Sequence, residues 1–261
     1  ICAEGEAAYP QIVSGEKDGE LIGFGALSGL APVKDKPGML YAVNDSFYAS
    51  QPTIFTIDAT AKPAKIVDAL RITRNGAAAQ KLDSEGLTPD GEGGYWLANE
   101  GDADKLVGHA IIHVNEKGEI QKEIAIPAEL RAGEKRFGFE GITSVGEGDD
   151  LTLWMAVQRE WADDEKGFVK LVSYKPSSEE WGAVRYPLEK TESGWVGLSE
   201  ITAVVVREVE DVEAAEAGDR GGIAAEGEAV RILPALVVPR VGRDRLLEVA
   251  RHDVLGEPGA H

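Results

Sequence analysis

A five-residue element recurs four times along this chain of 261 residues, and its spacing limits the folds that the chain can adopt. The copies occupy positions 27–31, 84–88, 139–143 and 198–202. Their second residues, Ser28, Glu85, Glu140 and Ser199, are separated by 57, 55 and 59 residues. A near-constant period with room for about four short strands per unit is typical of β-propellers.

Short apolar runs of strand length fill the chain between these copies. They are rich in β-branched and aromatic residues, and turn residues separate them, among them many of the 31 glycines. The runs cover 39–43, 53–57, 95–98, 110–114, 151–157 and 168–174. The pattern predicts an all-β fold in which residues 1–261 form one β-propeller domain of about five or six blades. The segment 205–261 has a different composition, and we expect an incomplete or atypical closure there.

Charge and composition exclude several classes of partner. A formal net charge of −19 argues against binding to nucleic acid or anionic membranes. No apolar run reaches the roughly 18 residues that a membrane span requires. The single cysteine, Cys2, excludes an intrachain disulfide. Because the chain starts at Ile1 rather than Met, we expect a removed signal peptide and a periplasmic or extracellular location.

Acidic residues recur at equivalent places in the repeats. Since equivalent positions of propeller blades face the central axis, their carboxylates are expected to converge there. The candidate metal ligands are Asp45, Glu85, Glu100, Glu140 and Glu200, with Asp83 and Glu160 as further acidic candidates and Asp83 alternatively a turn cap. Oxygen donors favour Ca²⁺, or Mg²⁺ or another divalent cation, over zinc. The histidines lack zinc-type spacing and are interpreted as surface or strand-filling residues.

Basic residues precede the third copy of the element. Arg131, Lys135 and Arg136 are candidates for binding a phosphate group beside the metal, although solvated surface charge is the alternative. No Gly-x-Ser-x-Gly elbow and no phosphate-binding loop with Lys-Ser/Thr occurs in the sequence.

Taken in order, the motifs at 27–31, 40–46, 82–87, 95–100, 124–127, 137–142 and 197–202 resemble the esterase-like phytase family. The resemblance implies an exported bacterial propeller with calcium-dependent hydrolysis of phosphoesters or carboxylesters. It also implies that Asp45, Glu85, Glu100 and Glu140 are the family's acidic positions. Where the family has Asn, this chain has Arg136. After Thr202 the family's final motifs are not recognisable.

Two functions remain open on the sequence alone. The first is a metal-dependent ester hydrolase that acts on a small-molecule ester, with Glu140, Arg136 and Glu85 as catalytic residues. The second is a non-catalytic binding or scaffold module in which calcium stabilises the propeller. If the ring does not close, we expect a homodimer formed through exposed blade edges.

Overall fold

The computed structural model describes residues 12–49, 51–80, 82–101, 107–192, 194–207, 224–225 and 228–237. These residues form β-strands, and the helical structure described among them is one 3-10 turn at Gly148–Asp150. The prediction of an all-β chain is therefore confirmed. No helix within the described ranges has the length and apolar character needed to cross a membrane. Cys2 lies outside the described residues.

The described residues form twenty strands, which follow one another in chain order. They are β1 (Ile12–Ser14), β2 (Glu16–Lys17), β3 (Glu20–Leu21), β4 (Leu27–Pro32), β5 (Met39–Asn44), β6 (Thr53–Asp58), β7 (Ala64–Arg71), β8 (Thr73–Arg74), β9 (Ala77–Ala78), β10 (Ser84–Pro89), β11 (Tyr95–Asn99), β12 (Ala110–Val114), β13 (Ile120–Ala125), β14 (Phe139–Val145), β15 (Thr152–Val157), β16 (Phe168–Lys175), β17 (Glu180–Pro187), β18 (Gly197–Arg207), β19 (Ala224–Ala225) and β20 (Glu228–Val237).

Four main sheets are built mostly from strands that are neighbours in sequence. Their strand orders are β1-β7-β6-β5-β4, β10-β11-β12-β13, β14-β15-β16-β17 and β18-β20-β19. All their pairings are antiparallel except that of β1 with β7. Such sequential sheets resemble propeller blades, but the described residues do not form a closed ring of blades.

The repeated element lies at the start of β4, β10, β14 and β18, each of which is an edge strand of its sheet and the first strand of its repeat. In all four strands the pairing register shifts at this element, between Leu27/Leu30, Ser84/Gly86, Phe139/Gly141 and Leu198/Glu200. A β-bulge re-aims the side chain at the irregular position. The four copies are therefore equivalent in structure as well as in spacing.

Glycines in the repeated element allow these first strands to pack backbone against backbone. A Cβ atom built on Gly29 would lie 2.5 Å from Cα of Gly86, and one on Gly86 would lie 2.7 Å from Cα of Gly141. A Cβ on Gly141 would lie 2.8 Å from Cα of Glu200, which occupies the glycine position of the fourth copy. Such contacts are closer than any side chain permits, so the glycines set the spacing of the sheets.

Apolar clusters fill the spaces between successive sheets. The residue after the glycine position is Leu87, Ile142 or Ile201 in the last three copies, and each is at most 2% exposed because it packs into one of these clusters. The equivalent Leu30 is 52% exposed. Within the described residues, no neighbouring sheet covers the Leu30 side chain.

Candidate metal centre

Three carboxylates converge where the second sheet begins. Asp83 precedes β10, Glu85 lies in its bulge and Glu100 follows β11. Since β10 and β11 pair antiparallel, with Ser84 opposite Asn99, the start of one strand meets the end of the other. One oxygen from each of the three carboxylates lies within 4.8 Å of the others. Oxygen ligands bind Ca²⁺ at about 2.3–2.6 Å and can therefore be about 5 Å apart across the ion, so this group fits a hard divalent cation.

Glu140 extends the group from the third sheet. Its side chain is hydrogen-bonded to that of Glu100, and Gln158 Nε2 donates to Glu140 Oε1 at 2.5 Å. Burial first, and then the charges of the nearby Glu85 and Glu100, together raise the pKa of Glu140 to about 9. Glu140 therefore holds a proton at neutral pH when no cation is bound.

Burial and neighbouring negative charge also raise the pKa values of Glu85 and Glu100. Burial raises the pKa of Glu85 to about 7, against the opposing hydrogen bond from Ser28 and with support from the charge of Asp83. Burial and the charge of Asp83 also raise the pKa of Glu100, while Arg136 opposes the increase. Buried carboxylates that repel one another are stabilised in the charged form by a bound cation. The donor set and its electrostatics both suit a metal site.

Hydrogen bonds from the surrounding strands fix these carboxylates. Ser28 Oγ donates to Glu85 Oε2 at 2.6 Å, which joins the first sheet to the second. The backbone N–H of Gly138 donates to Glu100 Oε1 at 3.2 Å, and that of Ser46 donates to Asp83 Oδ1 at 2.9 Å. The carboxylates of the second sheet are therefore oriented by segments of the first and third sheets.

His109 links the segment that follows Glu100 to the segment that precedes β14. Its Nδ1 accepts from the Gly101 backbone N–H at 2.8 Å, so its Nε2 is the protonated nitrogen that donates to the Lys135 carbonyl at 2.8 Å. The ring is 1% exposed and stacks on Trp161. A Cβ on Gly138 would lie 1.9 Å from His109 Nδ1, so only glycine fits there. The interpretation of His109 as a strand-filling residue omitted this linking role.

Two predicted ligands, Asp45 and Glu200, lie outside the three-carboxylate group and accept hydrogen bonds from the backbone. Asp45 Oδ1 accepts from the Phe47 N–H at 2.7 Å, yet Asp45 is close enough to raise the pKa of Glu85. Glu200 accepts from Leu30 N–H at 3.3 Å and from Ile201 N–H at 2.9 Å. Burial raises the pKa of Glu200 to about 7, against these two hydrogen bonds. Metal binding by Asp45 and Glu200 stays a prediction.

The other acidic and basic candidates differ in whether they interact with the carboxylate centre. Glu160 accepts a hydrogen bond from the backbone N–H of Gly167, so it stabilises the turn before β16. Asp83, for which the sequence left a turn-capping alternative, lies within the three-carboxylate group. Among the basic candidates, Arg131 pairs with Glu134, and only Arg136 affects a carboxylate of the centre.

Sequence reasoning missed Ser28 and Gln158, although the repeats contain the signal for both. Ser28 occupies the bulge position that Glu85 and Glu140 occupy in later copies. Gln158 directly follows β15, and its N–H donates to the residue before β14, Gly138. Asp45 and Glu100 make the same contact in the first two sheets. A residue-by-residue alignment of the repeats would have placed all of them around one centre.

The fold and site define a protein of repeated antiparallel sheets with a buried carboxylate centre suited to a divalent cation. The family model named phytase-like, and described as esterase-like activity of phytase, matches residues 22–219. The chain belongs to this family, as its motifs predicted. The family description indicates an esterase-like hydrolytic activity. A comparison with curated proteins gives no match.

Proposed function

We propose that this protein is a calcium-dependent ester hydrolase whose active site is the carboxylate centre. The observation that carries the proposal is the convergence of Asp83, Glu85 and Glu100, with Glu140 hydrogen-bonded to Glu100. The family description supports hydrolysis of esters. The oxygen-only donor set supports calcium, with Mg²⁺ as the alternative.

Each residue of the centre has a role in this proposal. Asp83, Glu85 and Glu100 hold the ion, and Asp45 and Glu200 add ligands at the edge of the group. When bound, the cation polarises a phosphoryl or acyl oxygen of the ester. Glu140 accepts the proton of the attacking water, and a general base of this kind contributes about 10²–10⁴-fold. Arg136 provides positive charge beside Glu100.

The proposal includes a propeller architecture and export from the cytoplasm. Four bulged first strands of equivalent geometry support a propeller. Exposed Leu30 on the first sheet supports a further sheet, or a second copy of the chain, on that face.

Removal of the metal is expected to abolish hydrolysis. Chelation with EDTA should lower the rate with p-nitrophenyl phosphate or p-nitrophenyl acetate at least about 100-fold, because the carboxylates alone repel an anionic substrate and polarise no oxygen. Added Ca²⁺ should restore the rate. An unchanged rate in EDTA contradicts the proposal, whereas bound calcium without turnover of any ester favours the non-catalytic binding module.

The metal-free protein is expected to lose stability as the pH rises. The pKa values of three buried groups, Glu85, Glu140 and Glu200, lie above the ordinary 4.5. At any pH between 4.5 and these raised values, the folded state therefore binds more protons than the unfolded state. Their stabilising contribution is complete below about pH 4.5 and is lost as the pH rises through about 7 for Glu85 and Glu200 and about 9 for Glu140.

Melting curves in EDTA between pH 5 and 9 measure this effect. We expect the free energy of unfolding to fall by a few kcal/mol across that range. Saturating Ca²⁺ should remove most of the decrease, because the cation stabilises the charged carboxylates. A melting temperature in EDTA that is constant or rises from pH 5 to pH 9 would show that the carboxylates are not buried together.

A further inference from the structure

Beside Gln158, which contacts the carboxylate centre, the chain carries an arginine that the proposed mechanism does not use. Arg159 follows Gln158, whose side chain donates to Glu140. Its guanidinium carbon lies 4.7 Å from the centroid of the Phe137 ring and 4.4 Å from that of the Trp195 ring. Two aromatic rings therefore hold this cation one residue away from a group that contacts the centre.

Both aromatic rings are themselves fixed. Phe137 precedes Gly138, which donates its N–H to Glu100. Its φ of 71° lies in the left-handed region, which a bulky residue adopts only where its surroundings impose it. A Cβ on Gly197 would lie 3.0 Å from the Trp195 ring, so that ring packs directly on the start of β18. Phe137 thus belongs to the segment that orients Glu100, and Trp195 is positioned by the start of β18.

A second guanidinium lies on the same aromatic ring. Arg136 is 5.8 Å from the Phe137 centroid, and its charge acts on Glu100. Among the described residues, neither Arg136 nor Arg159 makes a hydrogen bond or an ion pair. Each guanidinium has five N–H donors, and none of them is taken up by a described residue, so they suit an anionic ligand. Other arginines of the described chain, such as Arg74 and Arg185, pair with glutamates.

We propose that Arg159, held between Phe137 and Trp195, binds the anionic group of the substrate together with Arg136. A guanidinium fork matches two oxygens of a phosphate group, which gives both charge and geometry. An acidic protein with a carboxylate centre needs such cations to hold an anion beside a bound metal. This pair of arginines, the clamp, therefore selects phosphoesters over neutral carboxylic esters. Its role in turnover rests on the proposed hydrolase function.

The test compares Arg159→Gln and Arg159→Lys with the parent chain, all loaded with Ca²⁺. Isothermal titration with inorganic phosphate should show a Kd about 10–100-fold higher for Arg159→Gln. Arg159→Lys keeps the charge and loses the fork, so a smaller increase is expected. The matched control is Arg185→Gln, since Arg185 is 64% exposed and pairs with Glu165 at the outer strand β17. Its phosphate affinity should equal that of the parent.

A kinetic measurement separates the clamp from the hydrolase proposal. The ratio of kcat/KM for p-nitrophenyl phosphate to kcat/KM for p-nitrophenyl acetate should fall about 10-fold or more in Arg159→Gln. If the parent hydrolyses neither ester but Arg159→Gln still loses phosphate binding, the clamp stands and the hydrolase proposal fails. An unchanged phosphate Kd in a folded Arg159→Gln variant, or no phosphate binding by the parent, overturns the clamp.

Discussion

The Glu85→Gln variant is expected to lose calcium binding and ester hydrolysis together. Glu85 supplies one of the three closest carboxylates and lies in the bulge of β10. Glutamine preserves the shape and removes the charge, so we expect calcium affinity to fall at least about 100-fold and activity with it. Glu140→Gln should also lower activity about 100-fold or more, because the proposed general base is removed.

Stability gives this prediction an internal check. In EDTA at pH 8, both variants should be more stable than the parent, because each removes a buried carboxyl group whose pKa is raised. A misfolded variant would be less stable instead. The matched control is Glu147→Gln, an exposed glutamate that pairs with Lys34 and should change neither property. Full calcium content in both Glu85→Gln and Glu140→Gln would show that the centre is not the metal site.

Gly86→Ala is expected to destabilise the protein by about 3 kcal/mol, since overpacking of this kind has no flexible neighbour to absorb it. A Cβ at Gly86 would lie 2.6 Å from the backbone nitrogen of Ile142 and 2.7 Å from Cα of Gly141. Backbone atoms of an adjacent sheet cannot move aside as a side chain can. Thermal unfolding should show a decrease in melting temperature of about 10 °C.

The matched control for this variant is Gly23→Ala. A Cβ at Gly23 meets no described atom within 4 Å, and neither glycine has a positive φ. We expect the melting temperature of this control to stay within about 2 °C of the parent. If both variants behave alike, the close approach of β10 and β14 does not set the spacing of the sheets.

The periodic part of the fold was predictable from the sequence because it depends on local pattern. The apolar runs at 53–57 and 168–174 correspond to β6 and β16 within one residue at each end. The spacing of the repeated element identified Glu85 and Glu140 as equivalent positions. Both residues lie in the bulge of the first strand of their repeat.

The remaining site residues depend on contacts that no local pattern contains. Asp83 and Asp45 are both acidic residues of the motifs, yet only Asp83 lies in the three-carboxylate group. The Ser46 N–H holds the Asp83 carboxylate there. Arg159 gains its place from Trp195, which is 36 residues further along the chain and precedes β18 of a different sheet. Such pairings follow from how the sheets pack, which the spacing of one motif does not specify.

The bond between Leu30 N–H and Glu200 bears on how the chain folds. Hydrogen bonds of the centre join segments of one sheet or of neighbouring sheets. The bond between Ser28 and Glu85, for example, spans 57 residues. The Leu30–Glu200 bond spans 170 residues. Because the entropy cost of closing a loop increases with its length and delays distant contacts, each sheet can form early from local contacts of low contact order. We therefore expect the contact between Leu30 and Glu200, which joins the first sheet to the fourth, to form after the sheets themselves.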